Sequence, residues 1–504
     1  MNTSKNKLFN MLDDSDIGKI YTSYCIVESI KQTAGPTVFV LNDGTAFFEA
    51  TAFNKPGIRA FPSLKEKMAI KADIQVKERN SKIVGELEKY LIMDQKYTDK
   101  IKSKIKNRIQ EQATPVKSSF LIKSDKLDKL SSRIIAAATL IKKSIIEQRP
   151  IIIRHHDDCD GYCAAVALEK AILPLLTKHH RPEKSLFLYY RRHPSPAPYY
   201  DYTDASKDLS SFLDDSRLAR PPLVVLLDLG DLEQGNISIK KIRLYDFKII
   251  IIDHHFPGKV DIEKDVDVFL NPYTENLDAN LVTGMLCTEV ARLVNPSVEN
   301  INFLPALAGT GDKSGIPEFS EYLKLSGYDR EFLKKWALCI DFETSYLRYL
   351  ESRKFVHDFF GEDTKKRDQF IELVYPEIER RFRDLTKAVV KYLEVEEMKK
   401  FKLLIIDIES FPIQEFPNNS KIVRLAHEQV KGPRISMGLL PDSIIFRADN
   451  VEGFSVNQLV SEMKQDMPHA LVHGGGHDFA GTLRFMKAAK QEIIKKVREY
   501  LKKK

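Results

Sequence analysis

The chain has 504 residues and a mass of 57.8 kDa, with 43% hydrophobic and 30% charged residues, the balance of a globular protein of about three domains at roughly 150 residues each. No apolar run approaches the roughly 20 residues of a membrane span, and the start, MNTSKNKLFNMLDDSD, lacks the apolar core of a secretion signal, so a cytoplasmic protein without a membrane partner is expected. Five cysteines without a CxxC pair argue against a disulfide framework and a structural zinc site.

From about Ile17 to Met93 the sequence alternates apolar and polar residues in short runs, GKIYTSYCIVESI, TVFVLNDGTAFFEATAF, KMAIKADIQV and KIVGELEKYLIM, with an Asn42-Asp43-Gly44 turn between two of them. This predicts a compact β-barrel. The segment GPTVFVLNDGTAFFEATAF resembles the central hairpin of the nucleic-acid-binding OB-fold, in which exposed aromatics stack on bases. Phe39 and Phe48, with Phe47 and Phe53, are the candidates, although strand alternation turns at least half of such residues into core.

The net charge of +7 is modest, yet between Lys96 and Arg149 there are 14 basic residues against 5 acidic ones, a surplus larger than that of the whole chain. A solvated helical linker accounts for such a run as readily as a nucleic-acid contact. Lys102, Lys104 and Lys106 are the candidates for contact with a phosphate backbone. SDKLDKLSSRIIAAATLIKKSIIEQRP then has helical spacing up to Pro150.

From Ile151, short apolar runs alternate with helical patterns: PIIIRHH, SLFLYYR, PPLVVLLDLGD, FKIIIIDHH and VDVFLNP. Uninterrupted Ile, Val and Leu runs bounded by turns predict parallel strands covered on both faces. Residues 318–400 are charge-rich and aromatic helices. KLLIIDI, RISMGLL and SIIFRAD then predict strands, followed by a helix, a glycine run HGGGH and a basic terminal helix. The expected architecture is multidomain: an OB-like barrel (1–95), a basic helical linker (96–149), an α/β domain with a parallel sheet (150–317), a helical connector (318–400) and a smaller C-terminal α/β domain (401–504).

Four polar clusters fall at the carboxyl ends of predicted strands in this α/β domain, where open α/β sheets place ligands. They are His156, Asp158 and Asp160 in HDDCDG; Asp228 in DLGD, with Asp231 as its rival; Asp253, His254 and His255; and Asp312 in GTGDKSG. Each alone is as readily a turn or capping residue. Together, so many carboxylates and imidazoles in one crevice require cations, and mixed oxygen and nitrogen donors favour manganese, with magnesium as the substitute.

The ordered set HxDxDG, Asp228, Asp253-His254-His255 and Gly311-Asp312 resembles the DHH phosphoesterase superfamily, and GGGHDFAG from Gly474 to Gly481 resembles the glycine signature of the C-terminal domain of its RecJ-like members. The resemblance covers about 350 residues from Pro150 onward. It implies that His156 and Asp158 bind one metal, that Asp160, His254 and Asp312 bind a second, and that Asp228 bridges them. By the same resemblance Asp253 orients a ligand and His255 meets the scissile phosphate, while Gly474, Gly475, Gly476 and His477 approach a substrate phosphate. Arg447 is a further phosphate candidate from its place after SIIF.

The expected function is therefore that of a RecJ-like, two-metal, single-strand-specific exonuclease. Single-stranded DNA is the favoured substrate and RNA the second choice, with replication or repair proteins as partners. The alternatives are a phosphodiesterase for oligoribonucleotides or small nucleotides, and a non-catalytic replication scaffold related to RecJ.

Overall fold

The computed structural model describes residues 5–79, 82–116, 119–179, 186–215, 218, 220–230, 232–258, 261–347, 352–411, 416–449 and 451–504. The chain packs as two compact units. One comprises Met1–Lys117, Ala138–Arg149 and Leu175–Glu183, and the other Ser118–Ala137, Pro150–Pro174 and Lys184–Lys504.

In the first unit, the long strand Ile20–Gln32 pairs along one half with Ala69–Glu78 and along the other with Thr37–Asn42, both antiparallel, with a register shift between Val27 and Ser29 on the second side. Phe47–Ala52 continues the sheet and pairs with Ile83–Ile92, which returns to Ala69–Glu78 and closes a five-stranded barrel. At this seam Gly85 lies so close to the core that a Cβ would stand 2.5 Å from Ile74 and 2.7 Å from Phe48. The Asn42-Asp43-Gly44 turn is held by the Asp43 carboxylate, which accepts from the Thr45 amide and hydroxyl and from the Phe9 amide.

The barrel corrects one expectation. Phe39 is fully buried and Phe48 is 6% exposed, both inside the core with Leu41, Ile70 and Ile74, and Phe48 stacks on Phe9 at 4.9 Å. Neither can stack on a base, because strand alternation turns both inward. Among the described barrel residues Phe53 and Tyr24 are exposed, and Phe47 is half-buried.

Helix Gln95–Ala113 begins at the Asp94 cap and repeats Ile101, Ile105, Ile109 and Ala113 every fourth residue, so its apolar stripe lies against Ala69, Ile26 and Met93. Arg108 and Gln112 donate to the carbonyls of Asp43 and Gly44. Packing of this one face leaves Lys102, Lys104 and Lys106 exposed.

The second unit contains a parallel sheet with spatial order Val268–Leu270, Lys248–Ile252, Leu223–Leu227, Ile151–His156 and Tyr190–Ser195. Numbered along the chain, the order is 2-1-3-4-5, and the winding reverses between Ile151–His156 and Leu223–Leu227. That places a crevice beyond their carboxyl ends. The sequence pattern SLFLYYR predicts a strand that starts too early: Leu186–Tyr189 is a helical turn, and the strand is Tyr190–Ser195. It tolerates Pro194 because it is an edge strand.

Helices Pro317–Ser326, Arg330–Leu347 and Thr364–Tyr392 follow, and then a mixed sheet ordered Glu394–Glu397, Lys402–Asp407, Arg434–Leu439, Ser443–Asp449, Ala480–Arg484 and His473–His477. The first of these strands lies within the segment expected to be helical connector. The glycine run is a strand, with φ of +133°, +151° and +135° at Gly474, Gly475 and Gly476. A Cβ on Gly474 would meet the Thr482 carbonyl oxygen at 2.0 Å, so only glycine fits against the neighbouring strand. Among the described residues no helix is long and apolar enough to cross a membrane.

Candidate metal centre

The strand Ile151–His156 ends on His156, and the chain turns at once into helix Cys159–His179, so that Asp158 and Asp160 flank the helix start. The turn is tight: a Cβ on Gly161 would lie 2.3 Å from the His156 carbonyl oxygen. Asp158 caps the helix through the Gly161 amide (3.0 Å) and turns its other oxygen to His156 Nδ1 at 2.8 Å. Asp160 is fully buried and accepts the amides of Thr283 and Gly284 at 3.0 and 2.8 Å, the first amides of helix Thr283–Val294.

Asp228 follows Leu223–Leu227 in the left-handed region, φ +59°, a conformation that aspartate and asparagine tolerate better than most residues. Its Oδ1 lies 3.3 Å from His254 Nε2 and accepts from the Thr283 hydroxyl at 3.2 Å, while its Oδ2 lies 3.8 Å from His156 Nδ1. Its sequence rival, Asp231, lies outside the described residues. Gly230, between them, leaves the space that His255 uses: a Cβ there would stand 2.5 Å from the His255 ring carbon.

Strand Lys248–Ile252 delivers the remaining histidines. Asp253 Oδ1 accepts the amides of His254 and His255 and also His255 Nδ1 at 2.8 Å, which fixes the His255 ring. His254 donates through Nδ1 to the Ala279 carbonyl at 2.5 Å, so Nε2 is the free ring nitrogen. That atom lies 3.2 Å from Asp312, 3.3 Å from Asp228 and 3.8 Å from Asp160, is buried, and makes no hydrogen bond. Asp312 follows no strand, contrary to expectation, but arrives as the C-terminal cap of helix Leu304–Gly311.

Among the described residues four overlapping groups of three side chains bring potential ligand atoms within 4.8 Å of one another: His156 with Asp158 and Asp228, Asp160 with His254 and Asp312, Asp228 with Asp253 and His255, and His254 with His255 and His477. Burial opposes the charge on His156, Asp158, Asp160, His254 and Asp312, and the neighbours decide the outcome. His156 is driven well above its ordinary value by Asp158, Asp228 and Asp157, and His254 by Asp228, Asp312 and Asp160. Asp158 is held well below the carboxylate range by His156, whereas burial together with Asp228 and Asp312 drives Asp160 well above it. Burial, Asp158 and Asp228 push Asp312 up to about 6 against the pull of His254. Asp253 is lowered by His255, and His255 is raised by Asp253 and Asp228.

His477 from the glycine strand stacks on His255 with ring centroids 4.9 Å apart, and burial, with the neighbouring His255 and His254, lowers its pKa to about 3. Arg447 lies within strand Ser443–Asp449 and donates to Ser420 at 3.0 Å. It lines a cleft of about 1100 Å³ together with His156, Asp158, Asp312, Lys421 and Arg424. Thr283, Gly284, Gly230 and the Ala279 carbonyl escaped the sequence reading, because they act largely through main chain or, at Gly230, through the absence of a side chain. The only sequence signal was the small pair Thr283-Gly284 opening a helix.

Comparison with known proteins identifies the family. Residues 150–307 match the N-terminal domain of the DHH family. The chain is 33% identical to the uncharacterised protein MJ1198 of Methanocaldococcus jannaschii, over 94% of this chain and 68% of that protein. Among solved structures, it resembles the DHH domain of a protein described as a member of a family of ribosomal proteins (TM-score 0.77, 33% identity, 81% of this chain and 99% of that one). It also shares its fold with RecJ from Thermus thermophilus in complex with Mn2+ (TM-score 0.52, 13% identity, 79% of this chain and 58% of that one).

Proposed function

The chain belongs to the DHH family, and from that premise we propose that it is a RecJ-like, metal-dependent exonuclease that hydrolyses the phosphodiester bonds of single-stranded nucleic acid, DNA in preference to RNA. The observation that carries this reading is His254 Nε2, a buried nitrogen without a hydrogen bond that faces three carboxylates at 3.2 to 3.8 Å. A lone pair and three carboxylates repel one another unless a proton or a cation lies among them. The donor set, with imidazole beside carboxylate, suits manganese first and magnesium second.

His156 and Asp158 would hold one cation and Asp160, His254 and Asp312 the other, with the two oxygens of Asp228 each turned to one set. Two such cations supply charge neutralisation at the attacked phosphodiester and a more acidic water. Asp253 holds the His255 ring by its Nδ1, an orientation that would let the imidazole meet the scissile phosphate. The extended glycines Gly474 to Gly476 let a phosphate approach the backbone, His477 covers the His255 ring, and Arg447 supplies a cation from a strand of the same sheet. The barrel and the exposed Lys102, Lys104 and Lys106 would bind the strand.

The test is a time course on single strands of DNA and RNA labelled at either end, with Mn2+ or with chelator, comparing wild type with Asp228→Asn, which retains the left-handed backbone. Metal-dependent release of mononucleotides from one end, lost in the variant, is expected. Hydrolysis restricted to dinucleotides would move the protein to the small-substrate branch, and inactivity on every strand and dinucleotide would favour the scaffold.

A further inference from the structure

Helix Cys159–His179 begins between two of the proposed ligands, and its first amides need acceptors. Asp158 cannot serve them all: one oxygen takes the Gly161 amide and the other faces His156. The Cys159 amide instead donates to Asp341 Oδ1 at 3.1 Å, from a residue 182 positions away in helix Arg330–Leu347. The second oxygen of Asp341 accepts from Lys421 Nζ at 2.7 Å, on helix Asn419–Glu428 beside the C-terminal sheet. Both side chains are largely covered, at 15% and 18% exposure, and Lys421 lies 5.7 Å over the Phe416 ring.

We propose that Asp341 is a positioning residue for the metal centre: it clamps the start of the helix that presents Asp158 and Asp160, and Lys421 clamps Asp341 in turn. The inference rests on the metal reading above and deepens it. Neither Asp341 nor Lys421 lies within residues 150–307, the part of the chain that matches the DHH family. A carboxylate at a helix N-terminus is favoured by the aligned peptide dipoles, but here it adds negative charge to a site already crowded with carboxylates. Lys421 offsets that charge, which leaves Asp341 a directional acceptor. One residue thereby ties together the ligand-bearing loop, the helix Arg330–Leu347 and the C-terminal part, and all three border the same cleft.

The experiment is a Mn2+ titration of the full-length, metal-stripped protein by calorimetry, with melting temperature measured alongside, on wild type, Asp341→Ala and Asp341→Asn. Removing a partner that orients a ligand typically weakens metal binding by about 10- to 100-fold, and that loss is expected for the alanine variant. Asparagine retains an acceptor for the Cys159 amide and should recover most of it. Should the alanine variant not fold, Asp341→Glu, which displaces the acceptor by one methylene, takes its place with the same expectation. Wild-type Mn2+ affinity in the alanine or glutamate variant overturns the inference, as does an asparagine variant no better than alanine. A wild-type protein that binds no Mn2+ would instead overturn the metal reading itself.

Discussion

Gly284→Ala offers a measure of how tightly the centre is packed. A Cβ at this position would lie 2.5 Å from the Ala308 Cβ, 2.9 Å from Asp160 Oδ1 and 3.2 Å from the Cys163 Cβ. Carbon pairs are at ease at about 3.5–4.0 Å, so the first contact alone demands a shift of about 1 Å. Ala308 cannot yield by rotating, because its Cβ is fixed to helix Leu304–Gly311, which ends at Asp312. The strain therefore reaches Asp160 directly and Asp312 through its helix. Overpacking of this kind costs about 1–3 kcal/mol. The compact unit that holds Gly284 is larger than about 300 residues, and for such a unit each kcal/mol lowers the melting temperature by about 1–2 °C, so a drop of about 1 to 6 °C is expected. A displacement of about 1 Å at a reacting site can reduce turnover about 100-fold. Calorimetric melting and Mn2+-dependent hydrolysis would be measured beside Gly315→Ala, where the added carbon meets nothing within 4 Å. A Gly284→Ala protein with the melting temperature and turnover of the control would refute the reasoning.

Two further predictions concern other parts of the chain. Glu169 is fully buried, accepts from Tyr190 and Arg192 at 2.8 Å each and pairs with His357. Against burial, Arg192 and His357 hold it well below its ordinary value of 4.5. Glu169→Gln should cost about 3–5 kcal/mol by leaving buried cations unpaired. The carboxylate's contribution is present above its unfolded value and lost as pH falls below about 4.5, so urea melts of the variant should change less with acid than those of wild type. Replacing Lys102, Lys104 and Lys106 together by alanine should reduce the slope of log affinity against log salt by about 0.7 for each phosphate these lysines neutralise, without changing dinucleotide hydrolysis. An unchanged slope in filter binding would remove these lysines from the strand path.

The clustering of these carboxylates and imidazoles was legible in the sequence because strand ends and turns tell on their residues: Ile151–His156, Leu223–Leu227 and Lys248–Ile252 are apolar runs followed by or ending on polar residues. What holds the ligands was not legible. The amides on Asp160, the carbonyl on His254 and the carboxylate on Cys159 come from 123, 25 and 182 residues away, two of the three from main chain that every residue possesses. Phe39 and Phe48 failed for a different reason. A hairpin pattern defines two faces, and only closure of the barrel through Gly85 decides which of them is inside. The glycine strand was hidden likewise, since three successive glycines read as loop until an adjacent backbone demands their φ.

The unequal fates of Asp158 and Asp160 lead to a prediction on metal loading. In HDDCDG the two carboxylates look equivalent. In the fold, Asp158 pairs with His156 at the helix mouth and stays ionised, while Asp160 lies deeper, facing Asp228 and Asp312, and is driven toward its neutral form. A cation held by His156 and Asp158 therefore competes with the proton on one raised group, His156, while Asp158 is already ionised. A cation entering the other set competes with three, namely His254, Asp160 and Asp312, the last at about 6. Protons and cations exclude each other at such donors, so Mn2+ affinity must rise with pH, and more steeply for the second set than for the first. Calorimetry in buffers of different ionisation enthalpy, from about pH 6 to about pH 8, should resolve two binding events with unequal proton release. Equal release at both, or an affinity that falls as pH rises, would contradict the assignment of Asp160 and Asp312 to one cation.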